Sequence, residues 1–263
     1  MSTGSLTLLQ INDTHGYLEP HPELVWRGGE ATYPVLGGYA RIAALFKRIR
    51  NERQGAVIAL DNGDTLHGTY PAVISKGQAF VPRLNALELD AMTAHWEFAF
   101  GPAHLRRLSR KLSYPLLAVN CYDKETGQLI FPPSRVLERG GLRVGIVGIA
   151  ATIVDEGMPS AFSEGVRFTL GRDELASHIA HLRDKNDVDI VVVLSHLGFP
   201  QDVRLASEVP VSMSFSAATL TIDLSSRCGS TAPSLSNRAV TVPSLEHSIS
   251  MLKRAPLPSF ITA

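Results

Sequence analysis

Ala56–Asp64 reads AVIALDNGD, five apolar residues running without alternation into Asp-Asn-Gly-Asp. A run this short and this apolar is the mark of a strand buried on both faces, and the Asn-Gly pair that stops it leaves Asp64 at the strand's C-terminal edge. The same grammar recurs on either side. Leu6–Asp13 (LTLLQIND) is a β-favouring run that halts at polar residues ahead of Gly16, and Asp189–Gly198 (DIVVVLSHLG), the most apolar run of the chain, passes through Ser195 into His196.

Helical spacing fills the intervals. Tyr39–Arg53 sets Ile42, Leu45, Phe46 and Ile49 on one face, with basic residues opposite, after the flexible pair Gly37-Gly38. Ala79–Leu89, Pro102–Leu112 and Arg172–Lys185 read as further helices, the second with proline at an early position. Ala91–His95 and Leu116–Tyr122 read as strands, and Ser134–Ala151 as a hairpin that turns at Gly140-Gly141 and returns through the buried arm VGIVGIA. Strands alternating with helices, the strands buried on both faces, predict a layered α/β domain with much parallel pairing. Ligands of such sheets gather at the carboxyl ends of the strands. Here those ends carry Asp13 and His15, Asp64, His95 and His196.

The composition bounds what this site can serve. With 263 residues, 44% hydrophobic and 19% charged, the chain is one larger globular domain, or a domain and a tail, and disorder throughout is excluded. Lys and Arg number 25 against 25 Asp and Glu, with no basic run, which argues against a nucleic-acid polymer or a membrane surface as partner. Met1–Ser5 hold no basic n-region, no long apolar segment follows, and the expected location is cytoplasmic. Cys121 and Cys228 form no Cys-x-x-Cys pair and read as ordinary thiols.

Taken singly, an Asp-x-His after a strand is a capped turn and a histidine on an apolar strand is a core residue. Four strand ends that present only Asp and His differ, because imidazole and carboxylate together suit Mn, Fe or Zn. A carboxylate can bridge two such ions, and ions about 3.5–4 Å apart activate water for in-line attack on phosphorus. Other chemistries lack their motifs: there is no GxxxxGK[ST] loop, no GxGxxG fingerprint, and no sharp elbow that would make Ser195 a nucleophile. His178 and His181 lie three apart on a helix and read as surface residues.

The blocks Asn12-Asp13-Thr14-His15-Gly16, Gly63-Asp64-Thr65-Leu66-His67-Gly68, Ala94-His95-Trp96-Glu97-Phe98 with Gly101-Pro102, and Ser195-His196-Leu197-Gly198 resemble the successive motifs of the calcineurin-like metallophosphoesterases. More narrowly, they are similar to the 5'-nucleotidase branch, over about residues 5–210. The resemblance implies an αββα sandwich, incomplete at the C-terminus, with two divalent metal ions (Mn, Zn or Fe) at its strand ends. It implies Asp13 and His15 as ligands of one ion, Asp64 as the bridge, and His196 as a ligand of the second. It further implies hydrolysis of a small-molecule phosphate ester, 5'-nucleotide-like, by a water activated between the metals.

One block departs from the family pattern, Gly-Asn-His-Glu. His95 takes the place of the asparagine ligand and can still bind metal, whereas Trp96 takes the place of the histidine that assists the leaving group. Indole N–H does not titrate near neutrality, so Trp96 cannot act as imidazolium does. A similar replacement belongs to the family's dimanganese thiosulfohydrolases, whose substrate is not a phosphate ester. His67 is the nearest substitute acid; the alternative is a loop histidine facing solvent.

Relatives of this kind close the site with Gly-His-Thr-His after one more strand and continue into a base-binding domain, and no counterpart follows Pro210 here. Residues 211–263 hold 12 Ser and one Gly and lose the strand–helix rhythm. Val211–Asp223 (VSMSFSAATLTID) can be encoded, by choice of synonymous codons, so that the reading one frame away, from the third base of the first codon, spells Val-Asp-Val-Ile-Leu-Ser-Gly-His-Thr-His-Asn-Arg. The expectation is therefore a partial catalytic domain over residues 5–210 and an out-of-frame, poorly ordered tail over 211–263, with catalysis impaired by the missing ligands; the alternative is a catalytically silent remnant or binding scaffold.

Overall fold

The computed structural model describes residues 6–209 and the backbone of 215–217. In chain order the elements are β1 (Thr7–Ile11), the short strands β2 (His21–Pro22), β3 (Val25–Arg27), β4 (Glu30–Thr32) and β5 (Val35–Leu36), α1 (Tyr39–Glu52), β6 (Val57–Asp61), α2 (Tyr70–Ser75), α3 (Val81–Ala86) and β7 (Ala91–Met92). There follow α4 (Pro102–Ser109), β8 (Cys121–Asp123), β9 (Ser134–Arg139), β10 (Leu142–Ile149), α5 (Ile153–Glu156), β11 (Val166–Phe168), α6 (Arg172–Asn186), β12 (Ile190–Ser195), α7 (Phe199–Glu208) and β13 (Phe215–Ala217).

Two sheets carry the fold. One has the order β1-β6-β7 and is parallel; the other runs β13-β12-β10-β9, parallel except for the hairpin of β9 with β10. The strands lack a polar–apolar alternation because each face feeds a different core. Leu8, Ile58, Leu60, Val144, Ile146, Ile190, Val192 and Leu194 point between the sheets. Leu9, Ile11, Val57 and Ala59 meet Ile42, Phe46 and Ile49 of α1 on one outer face, while Val147, Ile149, Val191 and Val193 meet Leu175, Ile179 and Leu182 of α6 on the other. The order helix, sheet, sheet, helix is the αββα sandwich, and its second sheet ends at β13 among the described residues.

The Leu116–Val119 segment ties the sheets together. Leu116 forms a parallel bridge to Met92, and three residues later the Val119 N–H reaches Gly148 O at 2.8 Å. The approach demands glycine, since a Cβ on Gly148 would lie 2.3 Å from Leu117 O. This crossing corrects the expected strand over Leu116–Tyr122: pairing along a ladder begins only at Cys121, opposite Phe168 of β11. The helix expected over Ala79–Leu89 is likewise divided, into a 3₁₀ turn at Gln78–Phe80 and α3, because Pro82 fits only the first turn of a helix.

Among the described residues no helix is long and apolar enough to cross a membrane. The tail expected over 211–263 lies outside the described residues, apart from the backbone of β13.

Candidate metal centre

The C-terminal ends of β1, β6 and β12 meet at one edge of the sandwich. Beyond β1 and β6 the chain turns through Asp13 (φ 50°), His15 (φ 47°) and Asp64 (φ 61°), a left-handed conformation that side chains other than glycine's adopt at a cost of roughly 1–2 kcal/mol. Three hydrogen bonds hold the two turns face to face: Asn62 N–H to Ile11 O at 2.9 Å, Asp13 N–H to Gly63 O at 3.0 Å, and His15 N–H to Asp64 O at 2.9 Å. Gly68 completes the seam, as a Cβ there would meet His15 O at 2.5 Å.

Asp64 is the hub of the side chains. Its Oδ1 lies 2.5 Å from His67 Nε2 and accepts the Trp96 N–H at 3.2 Å, while its Oδ2 faces His95 Nδ1 at 3.1 Å and His15 Nε2 at 3.7 Å. Asp13 Oδ1 stands 3.7 Å from His15 Nε2 and 3.9 Å from His196 Nε2. The His95 and His196 rings stack at 4.3 Å, and His196 Nδ1 is fixed by Asn62 O at 2.7 Å. The structure thus brings Asp13, His15, Asp64, His95 and His196 into one cluster. Burial would raise the Asp64 carboxyl, but the imidazoles of His67 and His95 outweigh it and hold Asp64 well below the usual carboxylate range. Asp13 is lowered despite its burial by His15 and Asn12, and His15 is raised by Asp13 against the effect of its own burial.

The donor set fits divalent transition metals. Two groups share Asp64, one with His15 and His67 and one with His95 and His196, and within each the ligand atoms lie within 4.8 Å of one another. Among the described residues His95 Nδ1 is buried without a well-formed hydrogen bond, 3.1 Å from Asp64 Oδ2, as suits two ligand atoms that would share a cation.

Sequence reading missed one part of this arrangement and left a second open between two roles. Glu97, buried, takes four backbone N–H groups on one carboxylate: those of Asp64 (3.2 Å) and His95 (2.8 Å) on Oε2, and of Thr65 (2.6 Å) and Leu66 (3.2 Å) on Oε1. One side chain therefore fixes the loop that carries Asp64 and the start of the segment that carries His95. The second part is His67. The solvent-facing alternative is overturned, since its side chain is only 13% exposed and its ring lies 4.8 Å from His15 and 5.5 Å from Trp96.

No family model matches the chain. Among curated proteins it is 28% identical over 207 residues to a probable 5'-nucleotidase of Treponema pallidum, covering 78% of this chain and 34% of that protein. It is 32% identical over 209 residues to an apyrase of Tabanus yao, covering 77% and 36%. Among solved structures, a 5'-nucleotidase precursor of Thermus thermophilus superposes with a TM-score of 0.65 at 32% identity, over 76% of this chain and 39% of that one. The calcineurin-like phosphoesterase YfkN of Bacillus subtilis, at 17% identity, shares the fold with a TM-score of 0.61 over 74% and 63%. The chain is thus similar in sequence to 5'-nucleotidases and shares the fold of a calcineurin-like phosphoesterase.

The match covers the part of the chain that bears the cluster, and the chain spans about a third of the length of the curated relatives it matches. The same sandwich occurs in the sulfate thiohydrolase SoxB of Thermus thermophilus, with a TM-score of 0.72 at 24% identity over 82% of this chain and 48% of that one. Trp96 forms one wall of the cluster. It is 37% exposed and stands edge-on to Phe162 at 5.8 Å.

Proposed function

We propose that this domain hydrolyses small phosphate monoesters, 5'-nucleotide-like in kind, with two divalent ions (Mn, Zn or Fe). Asp13 and His15 would hold one ion, Asp64 both, and His95 and His196 the other. Bound ions of this kind act as Lewis acids and lower the pKa of a coordinated water. The observation that carries the reading is the Asp64 carboxylate, which faces three imidazoles and, held in its ionised form, is ready to bind cations at neutral pH. The names of the curated relatives support the phosphate-ester substrate.

Around that core the chain's own residues orient and screen. Glu97 holds the Asp64 and His95 backbones in place, and Asn62 O sets the His196 ring so that Nε2 turns toward Asp13. Trp96 and Phe162 line the rim with an apolar wall. Trp96 takes the motif position at which, by the family resemblance, a histidine assists the leaving group, and indole supplies no titratable proton. This favours a second reading, a thiosulfohydrolase-like reaction that releases sulfate from a thiosulfonate.

We further propose that residues 211–263 are an out-of-frame tail and that the chain as written is catalytically impaired. The change to a Ser-rich composition, with 12 Ser and one Gly, supports this; in the chain as written β13 runs parallel to β12 with Ala217 opposite Ser195, one residue before His196. With suitable synonymous codons, the neighbouring frame would spell Gly-His-Thr-His from the codons of Ala217 onward. Restored, the frame would place two more imidazoles just past the strand that flanks His196.

Thermal unfolding with and without Mn²⁺ tests the metal reading. An ion at about 100 times its Kd stabilises the native state by about 2.7 kcal/mol, a rise in melting temperature of roughly 5–10 °C for a domain of this size. Asp64→Asn should abolish the rise. A melting temperature indifferent to millimolar Mn²⁺ rejects the reading, and release of sulfate from a thiosulfonate without release of phosphate from a nucleoside monophosphate selects the second.

A further inference from the structure

We propose that His67 is itself a metal ligand, joining His15 and Asp64 on the side of the cluster remote from His95 and His196. No motif of the family assigns it that role, and the inference rests on the two-metal reading above.

The argument starts from the two oxygens of Asp64. Oδ1 is turned to His67 Nε2 at 2.5 Å and Oδ2 to His95 Nδ1 at 3.1 Å and, farther off, to His15 Nε2 at 3.7 Å, so the imidazoles of His67 and His95 meet different oxygens. A carboxylate that serves two cations divides its oxygens in this way. His15, Asp64 and His67 each offer one ligand atom, all within 4.8 Å of one another, a triangle that one ion with bonds of about 2.0–2.2 Å spans after small side-chain adjustment.

His67 is also held for the task. Its carbonyl lies 3.0 Å from where a Cβ on Gly16 would stand, Thr69 Oγ1 donates to Gly16 O at 2.9 Å, and Gly68 packs directly on His15. The loop after β6 is thereby clamped to the turn after β1. Trp96 backs the His67 ring on the rim side, which leaves Nε2 directed at the carboxylate. A histidine kept only to fill a loop would need none of this fixation.

The test uses the full 263-residue chain. Mn²⁺ binding is counted from the electron paramagnetic resonance of the free ion, and Co²⁺ is followed by its d–d absorption. The expected result for the unaltered protein is two bound ions. His67→Ala should weaken one of them by more than about 100-fold, beyond the 10–100-fold typical of losing an outer-shell partner, and should change the Co²⁺ spectrum. His67→Gln separates ligation from orientation, because the amide can still donate to Asp64 Oδ1 but offers no imidazole nitrogen. If His67→Gln retains both the affinity and the spectrum, His67 merely orients Asp64 and the proposal fails while the two-metal reading stands. Unchanged binding in His67→Ala fails it equally. An unaltered protein that binds no Mn²⁺ fails both readings together. Far-UV circular dichroism shows that each variant is folded, and the glutamine variant decides the matter should alanine unfold the loop.

Discussion

Asp202 illustrates how much a single buried group can set. One of its oxygens accepts the Ser195 hydroxyl at 2.6 Å and the other has no hydrogen-bond partner among the described residues. Burial pushes the carboxyl up to about 7, and Ser195 offsets only part of that rise. Between the ordinary value of 3.8 and about 7 the folded chain keeps a proton that the unfolded chain has released. Stability therefore falls as pH rises through this window and is lowest above it. Asp202→Asn removes the titration: its melting temperature should exceed that of the parent at pH 8, by the equivalent of a few kcal/mol, and the gap should close near pH 4. A parent whose melting temperature does not decline relative to the variant over this range would show that Asp202 is not held neutral. Nothing in the residues around Asp202 announces this behaviour, since an aspartate in the first turn of a helix ordinarily favours the exposed, charged state.

At the level of elements, the contact between the Leu116–Val119 segment and β10 holds the sheets in register, and it is intolerant of even one carbon. A methyl group on Gly148 would press on the backbone of Leu117, which cannot rotate away. Gly148→Ala should cost about 3 kcal/mol or more, as overpacking against backbone does. Gly141→Ala, at a hairpin turn with φ 76° and nothing within 4 Å of the added Cβ, should cost only about 1–2 kcal/mol for its left-handed backbone. Urea unfolding of the two variants side by side checks the order. Long elements are legible in sequence, α1 and α6 because their apolar faces repeat and β10 and β12 because their apolar runs are unbroken. The ribbons β2–β5, of two or three residues each, are too short to show a period. In α7 the buried residues are Asp202 and Leu205 while Phe199 and Val203 are half exposed, which disguises the amphipathic face.

For the whole molecule the question is whether the cluster is complete. β13 lies against β12 through Val193–Phe215, Leu194–Ser216 and Ser195–Ala217, extending the sheet that carries His196. The DNA of this region is expected to encode Gly-His-Thr-His in the neighbouring frame; a gene without it removes the frame proposal. A chain made from the restored frame should bind Mn²⁺ at least about 10–100-fold more tightly than the chain as written, because affinity rises with the number and support of the ligands. Calorimetric titration of both proteins measures the ratio.

What the sequence determined by itself was the set of strand ends and the chemistry they carry: apolar runs that stop at Asp13, Asp64 and His196 are local patterns, and the spacing of the motifs around them is linear information. Only the tertiary structure decided which side chains turn toward one another. The carboxylate of Glu97 closes on four backbone amides from two separate segments, and the imidazole of His67 turns inward because the loop after β6 is pinned to the turn after β1. Both depend on how closely two distant stretches of backbone approach, a distance set by the packing of the whole sandwich that no local pattern of residues encodes.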